Sequence, residues 1–365
     1  MKALIVSKAF VNRLYRRKLE ELHALGIEVV AVAPPAWHEG GAVQELEEAN
    51  GSYALRVLPV RLNGHFHLHF YSGLSHLIRE IQPDIVHMDE EPYNLATFLG
   101  LLSARRANAA GIFFTWQNVM LRYPPPFSDL ERAVYRWSSL AIAGNEDATK
   151  VLHEKGFSRR VVVIPQFGVD ADLFFPSSRP RRPFTVGFLN RLVPGKAPLL
   201  ALQAFSTLPH SARMIIAGDG PLRGEVETKI QSLELSARVE IRPRLPSTDM
   251  PALMRALDVV ILPSVTLPKW KEQFGRVLIE AMSSGVPVIG STSGEIPHVI
   301  GAGGLIVQEN DRHALAEAMC RLMDDRKMRK ELGERGRKRV LDHFTHRRIA
   351  EATAEAYQQA LRTGN

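Results

Sequence analysis

The 365-residue chain predicts an α/β fold made of two doubly wound, Rossmann-like domains facing a central cleft. Three observations lead there. Short β-branched apolar runs alternate with amphipathic helical stretches through the first 165 residues. The segment FPSSRPRRP at 175–183, with turn character and no apolar period, interrupts them. The alternation then restarts at 184 and continues to 308.

In order, KALIVS (2–7), EVVAVAP (28–34), DIVHMD (84–89), IFFTWQ (112–117), LAIAGN (140–145) and VVVIP (161–165) read as the strands of the first half. They are almost continuously apolar, as strands of a parallel sheet covered on both faces must be. Amphipathic stretches at 13–25, 93–108 and 146–156 supply helices between several of them. The second half repeats the grammar with FTVGFLN (184–190), RMIIAG (213–218), VEIRP (239–243), DVVILP (258–263), PVIGS (287–291) and LIVQ (305–308). The stretch 311–363 is helical and too long for one surface helix of the second sheet, so part of it can fold back on the first. The expected domains are 1–175 on the acceptor side, 176–345 on the donor side, and a C-terminal helix at 346–365.

Composition is that of a soluble globular protein, 45% hydrophobic and 23% charged. No apolar run reaches the eighteen residues that a membrane-spanning helix needs. The N-terminus reads as a first strand and helix rather than a signal peptide. A single cysteine, Cys320, excludes an internal disulfide framework and a cysteine zinc cluster, and fits a reducing, cytoplasmic setting. The 46 basic and 39 acidic residues leave a net charge of +7, which suits anionic small molecules or the negatively charged inner face of a membrane. No nucleic-acid-binding pattern is present.

The candidate chemistry lies just past strand ends. GFLNRLVPGKAP leaves its strand with Arg191 and Lys196 and enters a helix near Ala197. Two cations at a strand-to-helix junction suit a phosphate, although a solvated loop has the same composition. In AGDGP (217–221), Gly218 allows close backbone approach or simply forms a turn. KEQFGRVLIEAMSSGVPVIG (271–290) predicts a helix starting near Phe274–Gly275 and stopped by Gly285. Glu272 stands just before that helix and Glu280 inside it. A helix start favours an anion, so carboxylates there need another task, and hydroxyl pairs of a sugar and a ribose supply one. Two ordinary helix glutamates are the alternative.

The ordered set EQFGRVLIEAMSSGVPVI, NRLVPGK, AGDGP, ILPS, GSTSGEIPHVIG and IPQFGVD resembles the retaining glycosyltransferases of the family 4 (GT4) type, with their E-x7-E signature and two-domain GT-B fold. The resemblance covers nearly the whole chain. It implies metal-independent transfer of a hexosyl-type sugar from a nucleotide-sugar, a UDP- or GDP-sugar, to a hydroxyl acceptor in glycan, polysaccharide or glycolipid assembly. No cofactor or metal is implied. By the same resemblance Glu272 meets the donor sugar, Glu280 the ribose, and Arg191 and Lys196 the diphosphate. Backbone amides of Phe274, Gly275 and Arg276 face the distal phosphate or sugar, and the base lies near RPRL (242–245), close to Arg242 and Gly218.

The first half departs from the family pattern. No glycine pair follows strand one, where the chain reads SKAFVNRLYRRK. TWQN puts Gln117 where a histidine is common, followed by Asn118; Gln117 can hydrogen-bond a hydroxyl but cannot act as a base. In HMDEEPYNLAT (87–97), Glu90 and Glu91 are acceptor-side candidates, or else complement a helix start. His65, His67 and His69 alternate and so share one face of an extended segment, as an acceptor-side loop or, less fittingly, a metal site. Arg13, Arg16, Arg17 and Lys18 on the helix 12–25 suit either a membrane surface carrying a lipid-linked acceptor or a sheet-packed helix with a basic outer face. Two other classes stay open: a degenerate GT-B binding protein without turnover, and a nucleotide-sugar epimerase.

Overall fold

The computed structural model describes residues 1–39, 42–48, 51–177, 183–246 and 248–363. Two compact units emerge, one formed by Met1–Gly168 with His346–Asn365 and the other by Val169–Thr345. The break therefore precedes the expected boundary at 175, and residues 178–182 of the expected linker lie outside the described residues.

In the first unit, Lys2–Val6 (β1), Glu28–Ala33 (β2), Ala54–Val57 (β3), Ile85–Met88 (β4), Ala110–Thr115 (β5), Ser138–Ala143 (β6) and Val161–Val163 (β7) form a parallel sheet in the order β7-β6-β5-β4-β1-β2-β3. In the second, Thr185–Phe188 (β8), Arg213–Ala217 (β9), Val239–Arg242 (β10), Val259–Leu262 (β11), Val288–Ser291 (β12) and Gly304–Val307 (β13) pair in parallel as β10-β9-β8-β11-β12-β13. Both orders reverse beside the unit's first strand. The gaps between β1 and β4, and between β8 and β11, are thus topological switch points, where the loops leaving the strands diverge and leave a crevice. Continuous apolar sequence shows here as full burial: Ala3 to Val6 and Val259 to Leu262 are wholly inaccessible.

Five helices frame the loops at the strand ends. Arg17–Ala24 (α1) and Leu95–Arg106 (α2) belong to the first unit, Pro198–Ser206 (α3) and Arg276–Ser283 (α4) to the second, and His346–Thr363 (α5) to the first again. The basic helix expected over 13–25 is shorter than the sequence suggests. Its opening forms two tight 3-10 turns, Lys8–Val11 and Arg13–Arg16, with Asn12 capping the second through its side chain. Arg16 and Lys18 are buried rather than outward-facing, donating to the carbonyls of Glu47 and Gln166. Only Arg13 and Arg17 remain for a basic outer face.

The histidine trio also departs from expectation. The segment 62–69 is a chain of turns, closed by His65 N–H to the Leu62 carbonyl and by the Leu68 and His69 amides to the His65 carbonyl. Alternation therefore does not give a common face. His65 is exposed, His67 half-buried and His69 fully buried. Among the described residues no group of three potential ligands is placed to hold a metal ion.

Helix α5 lays Ile349, Ala350, Ala356, Tyr357 and Ala360 into the first unit's core beside Leu19, Leu22 and Phe114. The Tyr357 hydroxyl lies 2.8 Å from His87 Nδ1, inside the sheet face. Replacing Tyr357 by alanine removes an inaccessible ring and should destabilise the first unit by about 3–5 kcal/mol. Tyr357→Phe should cost only about 1–3 kcal/mol, the loss of one buried hydrogen bond. Denaturant unfolding of the two variants checks both the size and the order.

Candidate functional site

In the second unit the loop after β8 turns by way of Pro194–Lys196, a single 3-10 turn, into α3. The loop after β11 runs from Pro263 to Gly275, the N-cap of α4. These two loops flank the switch point, and there Lys196 Nζ donates to Glu272 Oε2 in a short ion pair. The Ser264 hydroxyl donates to the same oxygen at 2.8 Å. Both charged side chains are largely sheltered, 12% and 7% exposed for Lys196 and Glu272, so each needs the other's charge.

The surrounding backbone leaves little freedom. Trp270 closes a tight turn through reciprocal hydrogen bonds with Leu267, 2.7 and 3.1 Å. Its ring stands 5.4 Å from Lys196 Nζ and presses on Gly195, where a Cβ would meet the ring at 2.4 Å. On the other side, the loop after β12 supports Glu272. The Glu272 amide donates to Ser293 Oγ at 3.5 Å, and the Glu295 amide donates to the Glu272 carbonyl at 3.1 Å. Gly294, at φ +52°, lies so close that a Cβ would sit 2.0 Å from that carbonyl oxygen. Thr266 donates its amide to Glu309 and its hydroxyl to the same carboxylate at 2.8 Å, tying the β11 loop to the segment after β13.

Helix α4 starts where the sequence puts it. Gly275, in the left-handed region at φ +78°, is its N-cap, and Gly285 at φ +65° ends it. Phe274 is buried against the Phe344 ring, 5.7 Å away, which leaves its backbone rather than its side chain at the helix start. Glu280 is buried and ion-paired with Arg276 at 2.8 Å. Burial pushes its carboxyl above the usual range, and Arg276 opposes the shift.

Arg191 is exposed at the carboxyl end of β8. The loop holding Gly218 packs directly on it: a Cβ on Gly218 would meet the Asn190 carbonyl oxygen at 2.0 Å, and one on Gly220 the Leu192 carbonyl oxygen at 2.5 Å. These glycines are therefore required by close approach and not by a turn alone. Arg242 stands apart. Its guanidinium holds Glu240 through two bonds of 2.7 and 3.0 Å, two residues along the same face of edge strand β10. Only its carbonyl reaches the glycine loop, accepting from the Gly218 amide at 3.2 Å. The structure thus brings Lys196 and Glu272 together, with Ser264, Thr266, Ser293, Gly294 and Glu309 as supports that spacing does not single out.

The first unit uses the same device at its own switch point. Lys8, just after β1 where the glycine pair is missing, donates its amide to Glu90 Oε1 at 3.0 Å and its ammonium to Oε2. Tyr71 donates to Glu90 Oε1 at 3.1 Å, and His69 Nε2 stands 3.6 Å away. Burial alone would raise the Glu90 carboxyl, but Lys8 and His69 hold it well below the usual carboxylate range. Glu91 accepts from the Thr115 hydroxyl at 2.6 Å and the Trp116 amide at 2.8 Å, and burial raises its carboxyl to about 7. Gln117 donates its side-chain N–H to the Leu121 carbonyl at 2.9 Å, and its oxygen accepts from the Lys155 ammonium at 2.7 Å. Asn118 is buried beside it. All four acceptor-side candidates are thus buried, and for Glu90, Glu91 and Gln117 the internal partners are those just given.

Two family models match the chain side by side. One described as glycosyl transferases group 1 matches residues 170–339, and one described as glycosyltransferase family 4 matches residues 11–173. The chain belongs to the family 4 type of glycosyltransferase. Among curated relatives of this family, an MMP alpha-(1->4)-mannosyltransferase from Mycolicibacterium hassiacum is 26% identical over 67% of the chain and 60% of its own length. A D-inositol 3-phosphate glycosyltransferase from Corynebacterium glutamicum is 31% identical over 53% of the chain and 51% of its own length. The matched region thus spans little more than half of these relatives. In three dimensions, a glycosyltransferase from Rickettsia africae superposes with TM-score 0.76 over 99% of this chain and 98% of its own, at 18% identity. Anabaena Alr3699/HepE, solved in complex with UDP, superposes with TM-score 0.74 over 98% of this chain and 100% of its own, at 19% identity. These likenesses establish the GT-B fold.

The Glu91 carboxyl carries a pH prediction. In the native state it keeps a proton up to about 7, whereas the unfolded chain releases it near 4.5. Between those values the native state binds more protons, so this group withdraws about 3 kcal/mol of stability as pH rises from 4.5 to 7. Glu90, shifted downward, acts only below that window. Unfolding free energy measured against pH should therefore fall less steeply across it in Glu91→Gln than in the parent chain, with a residual slope from Asp89 and Glu280, whose carboxyls burial also raises.

Proposed function

We propose that the chain transfers a hexosyl-type sugar from a nucleoside-diphosphate sugar to a hydroxyl acceptor with retention at the anomeric carbon. The observation that carries this is the Lys196–Glu272 pair at the β8–β11 switch point, beside the start of α4. A nucleotide-sugar needs positive charge for its diphosphate and carboxylates for its diols, and this crevice offers both within one unit. Arg191, Lys196 and the backbone amides of Gly275 and Arg276 at the start of α4 would bind the diphosphate. Glu272 would take sugar hydroxyls and Glu280 the ribose, both as acceptors.

In the reaction the bond from anomeric carbon to phosphate oxygen breaks, and the acceptor oxygen forms its bond on the same face of the sugar. Negative charge develops on the departing diphosphate, where Arg191, Lys196 and the helix start stabilise it; one such preorganised donor is worth about 3–4 kcal/mol. The departing phosphate can take the acceptor's proton, so no dedicated base is needed, in keeping with Gln117 at the position where a histidine is common. The cations supply the charge that a metal would otherwise bring, and we infer a metal-independent reaction without a cofactor. UDP in the Anabaena neighbour favours a uridine donor over a GDP-sugar. Glycan, polysaccharide or glycolipid assembly in the cytoplasm, at the inner face of the membrane, fits the family and the absence, among the described residues, of any helix long and apolar enough to cross a membrane.

Thermal-shift or calorimetric titration with UDP, GDP and ADP and their sugar conjugates tests this. One nucleotide series should bind, with Lys196→Ala and Glu280→Ala each weakening it at least about tenfold. A folded protein that binds no member of the panel would refute the assignment. Gly294→Ala should strain this turn and push the Glu272 carbonyl aside, lowering stability and weakening the sugar conjugate by about tenfold or more and the bare nucleotide less. Equal weakening of both would place Glu272 away from the sugar.

A further inference from the structure

Residues 54–79 and 92–128 contain no aspartate or glutamate. Between them they carry Arg56, Arg61, Arg79, Arg105, Arg106 and Arg122, all exposed, and among the described residues no carboxylate pairs with any of these arginines. Within the same stretch three large apolar side chains project from one turn-rich loop: Leu62 is 51% exposed, Phe66 41% and Leu68 41%. This loop is held, not loose. His67 turns inward among Tyr93, Tyr123 and Phe127 at ring separations of 5.1–5.3 Å, and Lys8 lies 4.4 Å from the Phe66 ring centre. Those contacts seat it beside the segment that bears Arg122 and the exposed Pro124, Pro125 and Pro126. A groove of about 380 Å³ opens between residues 70–75 and α2, with Leu99 and Leu102 in its wall and Arg106 among its lining.

We propose that this face of the first unit docks on an anionic lipid bilayer. The loop 62–68 enters the headgroup–acyl boundary through Leu62, Phe66 and Leu68, while Arg61 and Arg122 lie at the phosphates. The charge complementarity is local: the loop and the segment bearing Arg122 carry no acid of their own, so Arg61 and Arg122 meet a negatively charged leaflet directly, with Glu45 and Asp129 on neighbouring segments. Two of the three tip side chains, Leu62 and Leu68, are aliphatic, which favours a bilayer over a nucleic acid; the latter would call for a row of exposed aromatic platforms. A compact apolar loop framed by cations needs no membrane-spanning helix to attach. The face also replaces helix α1, whose Arg16 and Lys18 are buried, as the membrane-facing element. As a route to a lipid-linked acceptor the inference rests on the transferase reading; as a binding surface it is tested without it.

The test is co-sedimentation of the whole chain with vesicles of phosphatidylcholine alone or with roughly one third phosphatidylglycerol. Wild type should bind the anionic vesicles, more weakly as salt rises, and leave the neutral ones in solution. Arg61→Glu with Arg122→Glu should lower the affinity by about fivefold or more for each cation removed. Phe66→Ser with Leu68→Ser should also lower it, and the remaining attachment should be more salt-sensitive. Failure of wild type to bind anionic vesicles overturns the proposal, as does unchanged binding by both variants. Retention of a single-stranded oligonucleotide in place of vesicles overturns it too. The nucleotide-induced thermal shift, recorded on the same samples, reports the donor side separately: its persistence in a protein that ignores vesicles removes this inference alone.

Discussion

The ion pair between Lys196 and Glu272 is the constraint around which the second unit is arranged. A carboxylate this sheltered cannot stay charged without a partner, and a lysine pressed against Trp270 has few others. The β8 loop, the β11 loop and the β12 loop are consequently held in register by Ser264, Ser293 and the close approach of Gly294. A buried pair of this kind adds little net stability over an apolar contact. What it supplies is geometry: one cation and one carboxylate, fixed side by side at the mouth of a parallel sheet; in the proposed reaction they part when a diphosphate and a diol offer each a better match.

The same construction appears in both halves with different accessibility. In each, a lysine from the loop after the unit's first strand meets a glutamate from the loop after its fourth, across the switch point. In the first unit Tyr71 and His69 close over the pair, and the Glu90 side chain has no exposure at all. There the carboxylate fastens the loop that replaces the glycine turn after strand one. In the second unit the Glu272 side chain keeps 7% exposure beside Ser264, while the two lysines are sheltered alike, 17% exposed for Lys8 and 12% for Lys196. Equivalent topology thus yields two sheltered pairs, of which the second has the less completely buried carboxylate.

Much of this was legible in the sequence. Continuous apolar runs announced both parallel sheets, because strands buried on two faces have no polar side to show. Gly275 and Gly285 marked the ends of α4, since both take positive φ, and that placed Glu272 at a helix start. The readings that failed did so where distant partners decided the outcome. Arg16 and Lys18 look like a basic face by spacing, but backbone carbonyls 31 and 148 residues away draw them inward. The histidine trio alternates, yet successive turns scatter it. Arg242 is the last residue of β10, close to where a base-binding residue should stand, but Glu240 two residues earlier on the same face takes its guanidinium. Glu309 had no local signal, and Ser293, though inside GSTSGEIPHVIG, had no legible role, because both roles exist only once β11, β12 and β13 lie side by side.

The central claim is that Lys196 exchanges Glu272 for a diphosphate. A double-mutant cycle on nucleotide affinity addresses it directly, with Lys196→Ala, Glu272→Gln and both together, titrated with the nucleoside diphosphate and with its sugar conjugate. The account predicts that Glu272→Gln frees Lys196 and tightens the bare diphosphate while weakening the conjugate relative to it. It predicts further that the first gain vanishes in the double variant. Two independent effects on both ligands, with no coupling between the positions, would contradict it.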